Sequence, residues 1–325
     1  MELPVAFQVV NSDTSGFSCP SDFKQYTVRG HLVGPAAALA SQSPTVTFYL
    51  YGFEGGEFHW RMTEALAGVS GYDWALEMAK LGHVSLTIDM LGYDSSVTPD
   101  GPHGFLNCIG SQADITHQIV GQLRNGQYSV SGGTNNGTEF SKVVLAGHDV
   151  GGHVAEIEAY SYEDINGLML VTWADQGFTP YIIEKNTLAA SDWCTQSTSG
   201  YVHYVTEQEY RTLLFYNADP RVIDATNALR NENPCGIIRS QPQGVFVDRA
   251  NVSRIKVPVL VVFGDNEQLV WTRQGEEEQQ GDFTGSSDKS TVFIPEARHF
   301  PMFERTVHTF DSVMSGWLAS RFQTP

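Results

Sequence analysis

Positive charge is what this 325-residue chain has least of: 19 Lys and Arg stand against 37 Asp and Glu, a formal net charge of −18. A surface this acidic repels phosphate backbones and anionic lipid, which excludes nucleic acid and membranes as partners. Long apolar runs are also missing, and no stretch approaches the roughly 20 apolar residues that span a bilayer. Met1–Phe7 lacks the basic start and long apolar middle of a signal peptide. The expected location is therefore cytoplasmic, with a secreted form whose leader has been removed as the alternative. Cysteine is scarce, and Cys19, Cys108, Cys194 and Cys235 show neither zinc spacing nor a C-x-x-C pair. Cys194 and Cys235 share one segment and would bridge in an oxidising compartment; free thiols are the equal alternative. Asn136-Gly137-Thr138 and Asn251-Val252-Ser253 match a glycosylation sequon too short to carry weight.

Apolar residues make up 41% of the chain, enough for a sizeable core. Short β-branched and aromatic runs recur at 6–10, 24–33, 45–51, 84–89, 143–146, 167–173, 257–263 and 290–294. Helical periodicity lies between them, over 74–81, 109–125 and 306–322. Strands alternating with helices predict a mostly parallel sheet with helices on both faces. Residues 126–139 read as a Gly- and Asn-rich surface loop. Residues 176–250 break the alternation with aromatics, Asn and Thr and helical stretches at 207–215 and 220–229. They read as a cap inserted between core segments 1–175 and 251–325.

The chemistry begins at Gly147-His148-Asp149-Val150-Gly151-Gly152, between a strand and a helix. A G-x-Nu-x-G turn in that context pushes its middle residue into a cleft. That residue is usually serine; here it is Asp149. The run 257–263 ends in Gly264-Asp265-Asn266-Glu267, which puts an acid just past a strand end, where crevices form in open α/β sheets. Spacing favours Glu267, with Asp265 in reserve and Asp175, after 167–173, as a third option. His299, in Pro295-Glu296-Ala297-Arg298-His299, follows the last strand and is the natural base.

Nucleophile, acid and histidine in this order resemble the α/β-hydrolase fold superfamily. Tyr51-Gly52-Phe53 and Asp89-Met90-Leu91-Gly92-Tyr93-Asp94-Ser95 add to the likeness. The Gly-His-Asp-x-Gly-Gly elbow is most similar to the epoxide hydrolases and haloalkane dehalogenases. The resemblance implies an Asp149–His299–Glu267 triad, with the N–H groups of Val150 and Phe53 as oxyanion donors. It also implies two cap tyrosines that protonate an epoxide oxygen. Among Tyr181, Tyr201, Tyr204, Tyr210 and Tyr216 we take Tyr181 and Tyr216. Two departures stand out: Tyr51-Gly52-Phe53-Glu54 replaces His-Gly-x-Pro, and Val150 stands where a dehalogenase has Trp.

Elementary chemistry agrees with the epoxide option. A carboxylate with a pKa of about 4 is already ionised at neutral pH. It attacks esters poorly, because the anhydride expels it again, but it attacks a strained sp³ carbon well. Trp60, His148 and Trp173 are expected to line the pocket. Glu54, Glu57 and His59 have metal-ligating atoms but no second ligand cluster, and are read as a loop over the site mouth. No metal or cofactor is expected. The expected function is epoxide opening in a hydrophobic small molecule of specialised metabolism, with a homodimer as a possible assembly. The alternatives are an esterase or lactonase with Asp in place of Ser, and a non-catalytic ligand receptor.

Overall fold

The computed structural model describes residues 1–17, 19–41, 44–96, 101–131 and 137–322. Asn136 of the first sequon lies outside them. Strands β1 (Glu2–Val10) and β2 (Gln25–Val33) pair antiparallel over their whole length, and β2 pairs antiparallel with β4 (Ser85–Asp89). From β3 (Thr45–Leu50) and β4 the sheet turns parallel. A two-residue strand, β5 (Ser129–Val130), adds to the edge beside β1, inside the stretch read as loop. The parallel part continues through β6 (Lys142–His148) and β7 (Gly167–Val171).

An insert follows β7. It carries the short hairpin β8 (Tyr201–Val202) with β9 (Asn233–Pro234). The sheet then resumes at β10 (Val259–Gly264) and β11 (Lys289–Ile294). Among the described residues the order is β11-β10-β7-β6-β3-β4-β2-β1-β5. This is the α/β-hydrolase fold. Strands β4, β6, β7 and β10 are buried almost throughout, as a sheet covered on both faces requires. Their near-continuous apolar runs are what made them readable.

The insert's helices are Pro180–Leu188, Glu207–Leu213, Pro220–Ala228 and Cys235–Asn251. Their starts follow local chemistry. Thr179, Thr206 and Asp219 accept N-terminal N–H groups, and Pro180 and Pro220 sit where no N–H is needed. The apolar pattern does not mark Pro180–Leu188, Cys235–Asn251 or Arg273–Asp282 as helices. Pro242 lies inside the unbroken Cys235–Asn251 helix, where a proline argues against one, and Arg273–Asp282 is so uniformly polar that no apolar stripe marks it.

Both cysteine pairs are bonded, Cys194 to Cys235 and Cys19 to Cys108, so the free-thiol alternative is corrected. The first bridge fastens the insert's helices to one another. The second pins the N-terminal segment to the start of helix Ile109–Asn125. Among the described residues no helix is long and apolar enough to cross a membrane.

Candidate active site

β6 runs straight into Asp149, whose φ of 50° lies where L residues are rarely found. The turn closes because Gly147 has no side chain; a Cβ there would sit 2.1 Å from the Gly151 carbonyl oxygen. Gly52, at the end of β3, is equally constrained, since a Cβ would lie 2.3 Å from Asp149 Oδ2. Two glycines thus let the elbow and the β3 loop meet at one carboxylate.

That carboxylate is engaged from two sides. Oδ2 accepts the Phe53 N–H at 3.0 Å, and the Val150 N–H also donates to the carboxylate. Oδ1 faces His299 Nε2 at 4.0 Å, too far for a hydrogen bond. The other ring nitrogen, Nδ1, lies 3.2 Å from Glu267 Oε2. Glu267 is fully buried, and its Oε1 accepts the N–H groups of Leu269 and Val270, both at 3.0 Å. A carboxylate held this way fixes the ring with Nδ1 protonated and leaves the Nε2 lone pair facing Asp149. Asp265 instead accepts from Asn266 and is not paired with His299.

Burial raises the Asp149 pKa above its ordinary 3.8, while the His299 charge and the Phe53 and Val150 N–H groups pull against the rise. For His299, burial works downward, but the Glu267 hydrogen bond and charge, with Asp149 behind them, leave it above 6.5. His148 is fully buried and bonds the His299 carbonyl through Nε2 at 2.8 Å. Burial holds its pKa well below the ordinary value, so it is a neutral support for the His299 backbone and not part of the cavity wall.

Asp149 and His299 open onto a cavity of about 660 Å³. Its wall is mostly apolar: Trp173, Phe178, Leu214, Val270, Trp271 and Phe300 come from both the core and the insert. Trp173 lines it as expected from its place after β7. Trp60 does not; it is fully buried, donates Nε1–H to the Leu50 carbonyl at 3.0 Å and packs between Tyr49 and Trp74.

Tyr181 and Tyr204 are the two cap tyrosines in the lining. The Tyr181 hydroxyl donates to Glu209 at 3.1 Å. Tyr216 is 52% exposed and lies outside the lining; its backbone N–H is bound by Glu304. Its place is taken by Tyr204, which is buried and stacks on Phe53 with ring centroids 4.6 Å apart. Burial pushes the Tyr204 pKa up, with the Asp149 charge adding to the rise, and the hydroxyl donates to Asn186 Oδ1 at 3.4 Å. Nothing in the sequence separated Tyr204 from the other insert tyrosines.

The segment 54–60 is not a loop over the mouth, because Glu54, Phe58, His59 and Trp60 are all buried. Asp89 accepts the N–H groups of Glu57 and Ser95, a turn-fixing role. Asp175 lines the cavity, but its carboxyl group faces Glu156 and Asp248, not His299. Burial, with the neighbouring carboxylates, raises the pKa of both Asp175 and Glu156. Trp173, Gln279 and Tyr160 donate into the group, so protons and hydrogen bonds relieve its charge.

Three structures illustrate the kinship. An esterase from Thermogutta terrifontis matches at 16% identity over 97% of this chain and 98% of its own, with a TM-score of 0.60. A monoacylglycerol lipase from Paleococcus ferrophilus matches at 16% identity over 90% and 99%, with a TM-score of 0.63. Rv0554 from Mycobacterium tuberculosis matches at 14% identity over 97% and 99%, with a TM-score of 0.64. At these identities the likeness is one of fold. No curated protein matches the sequence. The family model described as "Alpha/beta hydrolase family" matches residues 65–310. The chain belongs to the alpha/beta hydrolase family.

Proposed function

We propose that the protein hydrolyses an epoxide in a hydrophobic small molecule through an ester on Asp149. The observation that carries this reading is the placement of the Asp149 carboxylate: two backbone N–H groups hold it, and an oriented imidazole faces it without bonding it. In the first step an Asp149 oxygen attacks an epoxide carbon. The carbon–oxygen bond breaks, its electron pair stays on the epoxide oxygen, and the Tyr204 or Tyr181 hydroxyl gives that oxygen a proton. In the second step His299 Nε2 takes a proton from water, and the resulting hydroxide attacks the Asp149 carboxyl carbon.

The Phe53 and Val150 N–H groups then stabilise the tetrahedral oxyanion. Collapse expels the diol oxygen, which takes the proton from His299. The remaining water proton, left on the carboxyl group, restores the tyrosine. Epoxide and water have become a diol, and the enzyme is unchanged.

An esterase reading meets an obstacle here. The donors that would stabilise a substrate carbonyl oxygen are already turned to Asp149's own carboxylate. A receptor reading leaves the buried Glu267–His299 pair without a task. The two disulfides favour the secreted alternative over a cytoplasmic location, because such bonds persist in oxidising compartments. The apolar, aromatic cavity favours a substrate of medium size, consistent with a role in specialised metabolism.

The test is His299→Gln incubated with trans-stilbene oxide and with 1,2-epoxydodecane. Intact-mass spectrometry is expected to show the protein gaining one epoxide, localised by peptide mapping to Asp149. Turnover of p-nitrophenyl esters by Asp149→Asn, with no adduct from either epoxide, would decide for the esterase.

A further inference from the structure

Glu54 immediately follows the oxyanion donor Phe53, and the reaction as derived gives it no part. It is 2% exposed, its φ is 61°, and it faces four groups of the insert. Oε1 accepts the Tyr204 N–H and the Asn233 Nδ2–H, the latter at 2.8 Å. Oε2 meets His203 Nδ1 at 2.8 Å and Arg230 Nη1 at 3.1 Å. Its own N–H donates to Asn233 Oδ1 at 2.8 Å, and its carbonyl accepts the Asn231 N–H at 3.3 Å. The Gly55 carbonyl accepts Asn231 Nδ2–H at 2.9 Å.

Buried charge in this number of contacts is costly unless every contact is made, and here each oxygen has two donors. An ordinary loop glutamate would face water. This one joins the β3 loop, which carries the Phe53 N–H, to residues 203–204 and 230–233, which carry Tyr204. In the reaction proposed above, these are the groups that act on the Asp149 carboxyl and on the epoxide oxygen. The Phe53 N–H aims at Asp149, and the Tyr204 ring lies stacked on Phe53.

We propose that Glu54 is a positioning residue: its carboxylate clamps the insert to the oxyanion loop and thereby holds Tyr204, stacked on Phe53 in the cavity that Asp149 lines, for epoxide opening. This rests on the epoxide reading above. Glu54→Gln nearly keeps the shape but turns an amide N–H₂ toward donors on His203 and Arg230. Glu54→Asp keeps the charge at shorter reach.

The experiment follows adduct formation on Asp149 with trans-stilbene oxide in the His299→Gln background, as a single-turnover rate, with ligand affinity measured separately. Glu54→Gln is expected to slow adduct formation by about tenfold or more with affinity within about threefold. Glu54→Asp is expected to recover part of that loss. The Glu54→Gln effect should shrink to under about threefold when Tyr204→Phe is also present, because coupled residues are not additive.

An unchanged rate for Glu54→Gln, or an equal slowing with and without Tyr204→Phe, overturns the clamp and leaves the epoxide reading standing. No adduct on His299→Gln itself overturns that reading and, with it, the clamp. If Glu54→Gln melts below the assay temperature, Arg230→Gln reads the same coupling from the insert side. It is expected to slow the adduct by about threefold, and additivity with Tyr204→Phe overturns the clamp equally.

Discussion

The cavity has two walls of different origin. The core wall carries Asp149, Glu267 and His299 on loops that leave β6, β10 and β11. Hydrogen-bonded register between parallel strands, buried in β6 and β10 and half-buried at the edge strand β11, anchors those loops to the sheet. The insert wall carries Tyr181, Tyr204, Phe178 and Phe246, while Phe53, Trp173, Trp271 and Phe300 come from the core. Its helices, up to 17 residues long, are joined by the Cys194–Cys235 disulfide, and contacts such as those of Glu54 tie it to the core. On the reading proposed above, the attacking half of the site is positioned by loops leaving the sheet, and the proton-donating half by the insert, tied to the core through side chains and through backbone bonds such as Asn231 N–H to the Glu54 carbonyl. If Asp149 is the nucleophile proposed above, substrate preference can change through the roof alone.

The comparison breaks most completely at the core wall. Asp149→Ala is expected to reduce epoxide turnover by about 10⁴-fold or more, measured as kcat/KM on trans-stilbene oxide. Next comes the His299 orientation. Glu267→Gln should cost about a thousandfold in turnover while ester formation persists, so the adduct accumulates on Asp149 and is visible by intact mass.

On the insert wall, Tyr204→Phe is expected to slow ester formation by about a hundredfold. Tyr216→Phe should change it by less than about threefold, which separates the buried tyrosine from the exposed one.

A pH series sharpens the same division between steps. Ester hydrolysis needs neutral His299, whose pKa stands above 6.5. As pH falls through that raised value, hydrolysis should slow by about tenfold per unit. Ester formation needs ionised Asp149, whose pKa is also raised but starts from 3.8, so it should persist to lower pH. Adduct should therefore build up on the acid side during turnover, which quenched-flow mass spectrometry reads.

The mildest effect on chemistry comes from the disulfide that secures the roof. Replacing Cys194 and Cys235, 41 positions apart, by Ser should lower stability by about 4 kcal/mol in urea titrations.

The same division explains what could be read in the sequence. The elbow was legible because a strand, two glycines and a helix constrain the backbone, and Asp149 is the residue that constraint turns outward. Glu267 was chosen over Asp265 from spacing, and it is the one that meets His299. Trp60 misled because bulk and aromaticity do not say which face of a segment turns inward; it packs into the core with its N–H on Leu50.

Tyr204 was one of five insert tyrosines, and no period distinguishes positions whose placement depends on long-range partners. Glu54 showed the same blindness from the other side. A glutamate between glycines reads as an exposed loop, and only the insert folding back on it reveals a buried carboxylate with donors on every side. Cys19–Cys108 escaped because the two residues lie 89 positions apart with no local signal.

The central claim is that an ester forms on Asp149 and is cut at the carboxyl carbon. A single turnover with enzyme in excess over trans-stilbene oxide in ¹⁸O-water tests it directly. Our account predicts ¹⁸O in the peptide containing Asp149 and a diol that carries none. Label in the diol, with the Asp149 carboxylate unlabelled, would contradict it.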